Sequence, residues 1–111
     1  MFKRIKYFIQ RGKRGYSDRD LWDLGSYISE VMTKALDDFD KTRHTYLGTM
    51  TEEQWSETLK EMEAGFQAIL DMNDLLDWVE IKNYKKEYKK LKAIKDKGLK
   101  LFAKYIEGLW D

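Results

Sequence analysis

The sequence predicts an all-α protein: a helical bundle of two long helices, a long basic C-terminal helix and a short basic N-terminal one. Three observations carry that expectation. None of the 111 residues is proline, so no position removes a backbone donor from a helix interior. Apolar residues recur at steps of three and four over three long stretches, the period of one helix face. A Ser or Thr followed three positions later by an acid or amide heads two of those stretches, the pattern of a capping box. With 42% apolar and 14% aromatic residues there is material for a core despite 37% charge. The length fits one domain over 1–111, with 1–16 as a peripheral basic segment.

The elements follow in order. From Met1 to Gln10, Phe2, Ile5, Phe8 and Ile9 sit at helical spacing with Lys3, Arg4 and Lys6 between them, a short amphipathic helix that Gly12 and Gly15 are expected to break. So short a helix is marginal alone and must dock on the body, a partner or a lipid surface. Ser17, with Asp20 three residues on, is expected to cap a helix running from Asp18 to Lys41. Its stripe of Leu21, Trp22, Leu24, Tyr27, Ile28, Val31, Met32, Ala35, Leu36 and Phe39 is wide enough to face a core. Residues 42–50 form the connector. Thr51 caps the next helix, 52–72, with Gln54 closing the box and Glu52 and Glu53 favoured in the first turn by the helix dipole. Trp55, Leu59, Met62, Phe66 and Ile69 make its core face, and Gly65 marks a close helix approach. Residues 71–83 read either as a short helix or as an extended apolar segment. From Tyr84 to Leu109 a third stripe returns, with Gly98 standing where the next apolar residue is due. Continuous, that helix is about 39 Å long, against a radius of gyration of about 13 Å for a compact chain of this size.

The net charge of +1 conceals strong segregation. Residues 1–16 carry +6, 17–80 carry −11, and 81–104 carry +8 through ten lysines. Such blocks either cancel inside the fold or leave a basic surface for phosphates or an acidic partner. Cancellation is expected to involve mainly the lysine helix and the acidic middle. That leaves Lys3, Arg4, Lys6, Arg11, Lys13 and Arg14 as the candidate partner-binding residues, together with Trp110, which either folds back on the bundle or stays exposed as an anchor.

Catalytic chemistry finds little support. There is no cysteine, hence no thiol nucleophile, zinc–thiolate site or disulfide. The one histidine, His44, lies in the polar connector, and no glycine spacing matches a nucleotide loop. The carboxylate pairs Asp20/Asp23, Asp37/Asp40 and Asp74/Asp77 share helix faces, but most acids sit in first turns or on solvent faces instead of converging as a magnesium site requires. No enzyme activity, cofactor or metal is expected, and no apolar run approaches the ~18 residues of a membrane span. Nucleic-acid binding, if present, is expected to be weak, sequence-blind and strongly salt-dependent, and to reside in the N-terminal basic segment more than in the lysine helix. The cations of residues 81–104 are lysines, whereas base readout favours the arginine fork.

The stretches RGYSDRDLWDLGSYI (14–28), MTEEQWSETLKEMEAGF (50–66) and GLKLFAKYIEGLWD (98–111) resemble a group of small uncharacterised bacteriophage-encoded proteins. That resemblance implies a phage gene expressed in the cytoplasm of a bacterial host, and it transfers no catalytic residue. It also implies a non-enzymatic accessory protein that binds a host or phage macromolecule, with inhibition of a host defence protein as one expected form. A host or phage protein is the expected partner, and a homo-oligomer is compatible with the sequence. The alternative is a nucleic-acid-associated accessory protein using the N-terminal segment and the lysine-rich helix.

Overall fold

A computed structural model describes residues 2–110, so the expected helix start at Met1, and Asp111, lie outside the described residues. The described residues form five helices and no strand: α1 (Phe2–Arg14), α2 (Leu24–Thr42), α3 (Glu52–Asn73), α4 (Leu75–Trp78) and α5 (Tyr84–Tyr105). The fold is all-α, as expected.

The central member is α3, which contributes Trp55, Leu59, Met62, Gly65, Phe66 and Ala68 to the interior. The expected Thr51 capping box is present, with the Thr51 hydroxyl accepting from the Gln54 N–H and the Gln54 side chain accepting from the Thr51 N–H. Both α2 and α5 pack on α3. At one end Ser56 of α3 hydrogen-bonds Asp40 of α2, and at the other Asn73 reaches Ser26, so these two helices are antiparallel. Trp55 meets Tyr105 edge-on with centroids 5.9 Å apart, and Phe66 meets Phe102 at 5.1 Å, orientations that aromatic quadrupoles favour. As α3 numbers fall those of α5 rise, so this pair is antiparallel too.

Gly65 and Gly98 make the close approach. A Cβ on Gly98 would stand 2.5 Å from Gly65 Cα and 2.7 Å from the Glu61 carbonyl oxygen. The two backbones touch there, and no side chain fits between them. A smaller cluster of Ala68, Leu75 and Leu91 closes the other end, with Met72, Val79 and Tyr84 against it. The ambiguous 71–83 stretch resolves as the single turn of α4, an extended residue at Val79 and a 3-10 turn over Ile81–Asn83.

Several expectations need correction. Gly12 lies inside α1, since one helical glycine costs only about 1 kcal/mol, and the chain turns at Gly15, where φ is +85°. The second helix starts at Leu24, because the Asp23 carboxylate takes the Ser26 N–H as its cap. Ser17 and Asp20 exchange their box bonds ahead of that, on the 3-10 turn Arg19–Asp23. The last helix ends at Tyr105 and tightens into a 3-10 turn over Ile106–Gly108.

The α2 stripe is only half used. Met32, Leu36 and Phe39 face α3, whereas Leu24, Ile28 and Val31 stay exposed and Trp22, expected in the core, is 79% exposed. The physical reason is neighbour number, since among the described residues α3 is the one helix on which α2 packs extensively. The radius of gyration is accordingly 16.5 Å, with extents of 47 × 44 × 20 Å, wider than the compact estimate and only about two helix diameters thick.

Candidate functional site

α1 is attached in an unusual sense. At about 100° per residue, Phe2, Ile5, Phe8 and Ile9 occupy one sector of the helix, and Tyr7 and Gln10 lie across from it. Tyr7 and Gln10 are the half-buried residues of α1, and none of its residues is buried. The apolar sector therefore points outward, with Phe2 89% and Phe8 79% exposed. Burial of an amphipathic helix normally runs the other way.

The polar side is held by the turn that leads into α2. Gln10 donates its amide to Asp18 Oδ2 at 2.9 Å and accepts the Asp18 N–H at 2.8 Å. Arg11 grips both oxygens of Asp20 at 2.8 and 2.5 Å, the two-pronged geometry that makes arginine–carboxylate pairs strong. Arg14 donates to Asp18 at 2.6 Å and to the Tyr16 carbonyl at 2.9 Å, and Lys6 stands 3.6 Å from Asp18. The Tyr27 hydroxyl donates to the Gly15 carbonyl, and Arg11 lies 5.1 Å from the Tyr27 ring centroid.

Asp20 is the buried anchor of this turn, also accepting the Ser17 N–H at 2.7 Å. Its carboxyl is held well below the usual range, first by Arg11 and then, against the cost of burial, by Ser17. The Asp18 carboxyl is lowered to about 2, chiefly by the Gln10 amide and Arg14.

The basic candidates thus divide. Lys6, Arg11 and Arg14 are bound to acids of the 18–20 turn, while Lys3, Arg4 and Lys13 make no ion pair among the described residues. Arg4 and Lys13 flank the outward apolar sector on opposite edges. The lysine helix packs on the acidic α3, as expected, but pairs with it directly at one point. Among the described residues, its one ion pair to another helix is Lys97–Glu61 at 2.9 Å, and Lys92 and Lys95 pair locally with Asp96. Trp110 is 70% exposed at the far end of the bundle, beside a cleft also lined by Tyr46, Leu47 and Trp55. It does not join the N-terminal cations.

Two of the three carboxylate pairs make side-chain bonds within the fold. Asp20 binds Arg11, Asp23 caps α2, Asp37 pairs with Lys41 at 2.7 Å, and Asp40 binds Arg43 and Ser56. Among the described residues no three His, Cys, Asp or Glu side chains are gathered as a metal would need. His44 is exposed on the connector.

Sequence reasoning missed a second exposed set at the α1 end of the bundle. Leu76 and Trp78 on α4, and Ile81 just after it, are exposed, the last at 85%. With Lys82 and Lys85, Leu76 and Ile81 line one shallow groove. The Asn73–Ser26 bond ties the start of α4 to the start of α2, where Trp22 and the α1 attachment turn also lie. Asn73 and Asp74 signalled a turn here; exposure of the residues after it depends on tertiary packing.

No known protein family, curated protein or solved structure matches the chain. No helix of the described residues is long and apolar enough to cross a membrane.

Proposed function

We propose that the protein is a non-enzymatic accessory protein that attaches, through the α1 end of its bundle, to a component of a bacterial host or of a phage. The observation supporting this is the orientation of α1. Six polar contacts to the 18–20 turn and to Tyr16 hold its hydrophilic side, and its four large apolar side chains face solvent. Exposed apolar patches of this kind mark interaction surfaces. The resemblance of its sequence to phage-encoded proteins implies a host-directed role, with inhibition of a host defence protein as one form of it. The test is affinity capture from expressing host cells with the full chain and with Phe8→Ser. The components retained by the full chain should be lost with the variant; identical recoveries would overturn the reading.

One observation favours a second reading, nonspecific contact with nucleic acid. Among the described residues one lysine of α5, Lys97, pairs with another helix, and Lys3, Arg4 and Lys13 of α1 make no ion pair, so the N-terminal segment and α5 are the surfaces it would use. Contact with about four phosphates gives roughly 150-fold weaker duplex binding between 50 and 200 mM salt. Titration of labelled DNA at both concentrations tests it, and binding insensitive to salt would exclude it.

A further inference from the structure

We infer that the outward face of α1 is an anchor for an anionic lipid surface. The inference rests on the reading of α1 as the attachment surface and names what that surface takes. Three properties of α1 point the same way. No acid interrupts its six cations in sequence, and Lys3, Arg4 and Lys13 make no ion pair among the described residues. Its apolar sector carries two phenylalanines and two isoleucines, all exposed, and three of them, Phe2, Ile5 and Ile9, line a shallow groove beside Lys6 and Lys13. Its body contacts lie on the opposite side, so the helix can lie flat on a surface without detaching from the bundle. A large apolar–polar asymmetry, low net hydrophobicity and a Lys/Arg-rich polar side define helices that lie in the headgroup region.

Charge separates this occupant from the others. A second copy pairing α1 with α1 would set the unpaired Lys3, Arg4 and Lys13 of one copy against those of the other. A protein groove would need carboxylates in register with Arg4 on one edge and Lys13 on the other. Lipid phosphates meet cations at any register, and long basic side chains keep their charge at headgroup level while their stems lie along the apolar face.

Placement adds an independent observation. Trp22, and Leu76, Trp78 and Ile81 beside Lys82 and Lys85, expose the same combination of apolar and basic groups at the same end of the bundle. A peptide-sized groove would use one of these segments, whereas an extended interface can use all three. Tryptophan in particular is enriched at membrane–water interfaces.

The test is co-sedimentation of the full chain with vesicles of phosphatidylglycerol and phosphatidylcholine, and with phosphatidylcholine alone. The chain should bind the anionic vesicles and leave the neutral ones largely unbound. Phe8→Ser should lower partitioning on the order of tenfold or more, and Arg4→Gln and Lys13→Gln roughly fivefold each. Trp110→Ala, at the far end, should change nothing. Because α1 buries no residue, thermal unfolding of the α1 variants should match that of the parent, which separates lost binding from lost fold. Failure to bind anionic vesicles, equal binding to neutral ones, or binding indifferent to Phe8→Ser would overturn the proposal. So would a dimer in lipid-free buffer that Phe8→Ser dissociates. If cellular capture still depends on Phe8 while vesicles are not bound, the lipid assignment fails and the attachment surface stands. If neither depends on Phe8, both fail.

Discussion

Replacing Gly98 by Ala tests the helix crossing on which the bundle is built. The added Cβ would lie 2.5 Å from Gly65 Cα, 2.7 Å from the Glu61 carbonyl oxygen and 2.9 Å from Gly65 N. Carbon contacts are comfortable at about 3.5–4.0 Å, so α3 and α5 must part by roughly 1 Å. All three opposing atoms are backbone, and no side-chain rotation relieves them. The separation is transmitted to the Phe66–Phe102 and Trp55–Tyr105 contacts on the same interface. Overpacking of this kind costs about 1–3 kcal/mol and sometimes more, and a backbone clash belongs at the upper end. Against it stands the gain of about 1 kcal/mol from alanine in a helix interior. The expected net loss is about 2 kcal/mol in urea denaturation. The sign is what decides: a variant as stable as the parent, or more stable, would refute the close crossing and with it the packing of α5 on α3.

Further outcomes follow from burial and from the α1 attachment. Trp55→Ala, at a site 1% exposed, should cost about 3–5 kcal/mol, and Trp22→Ala less than about 0.5 kcal/mol; denaturant midpoints of the two variants check the contrast. The Asp18 and Asp20 carboxyls have native pKa values below their unfolded ones. Their hold on α1 is therefore complete above about pH 4. It declines as the pH falls through about 2, and the protection of α1 amides relative to an unstructured chain should fall over that interval. Protection lost between pH 7 and 5 instead would show that other groups hold α1.

Much of this architecture was legible before the structure. Thr51 and Gln54 announced the start of α3, the spacing from Trp55 to Phe66 announced its core face, and Gly65 announced a close approach. These are local signals, and neighbouring residues satisfy them. What could not be read depended on the neighbours each face would meet. The α2 stripe showed an amphipathic helix but not that only one flank would be covered, so Trp22 was misplaced. Segment charges showed that basic and acidic blocks coexist but not which would meet. Two aspartates of the acidic block, at 18 and 20, engage half of the N-terminal cations, while among the described residues one lysine of α5, Lys97, reaches an acid on another helix. Within α1 the four apolar positions were visible. Their outward direction was set by Gln10 and Arg11 meeting the 18–20 turn, a pairing across eight and nine residues that periodicity does not encode.

The central claim is that α1 presents its apolar sector to the outside while its polar side holds the bundle. Because the chain has no cysteine, Phe8→Cys and Gln10→Cys each introduce a unique thiol on opposite sides of the helix. Their modification rates by a small polar reagent, native against denatured and over a range of protein concentrations, measure the orientation directly. The account predicts that the thiol at position 8 reacts in the native protein nearly as fast as in denaturant, independent of concentration, and that the thiol at position 10 is the slower of the two. Strong native protection at position 8, with position 10 the faster, would contradict it.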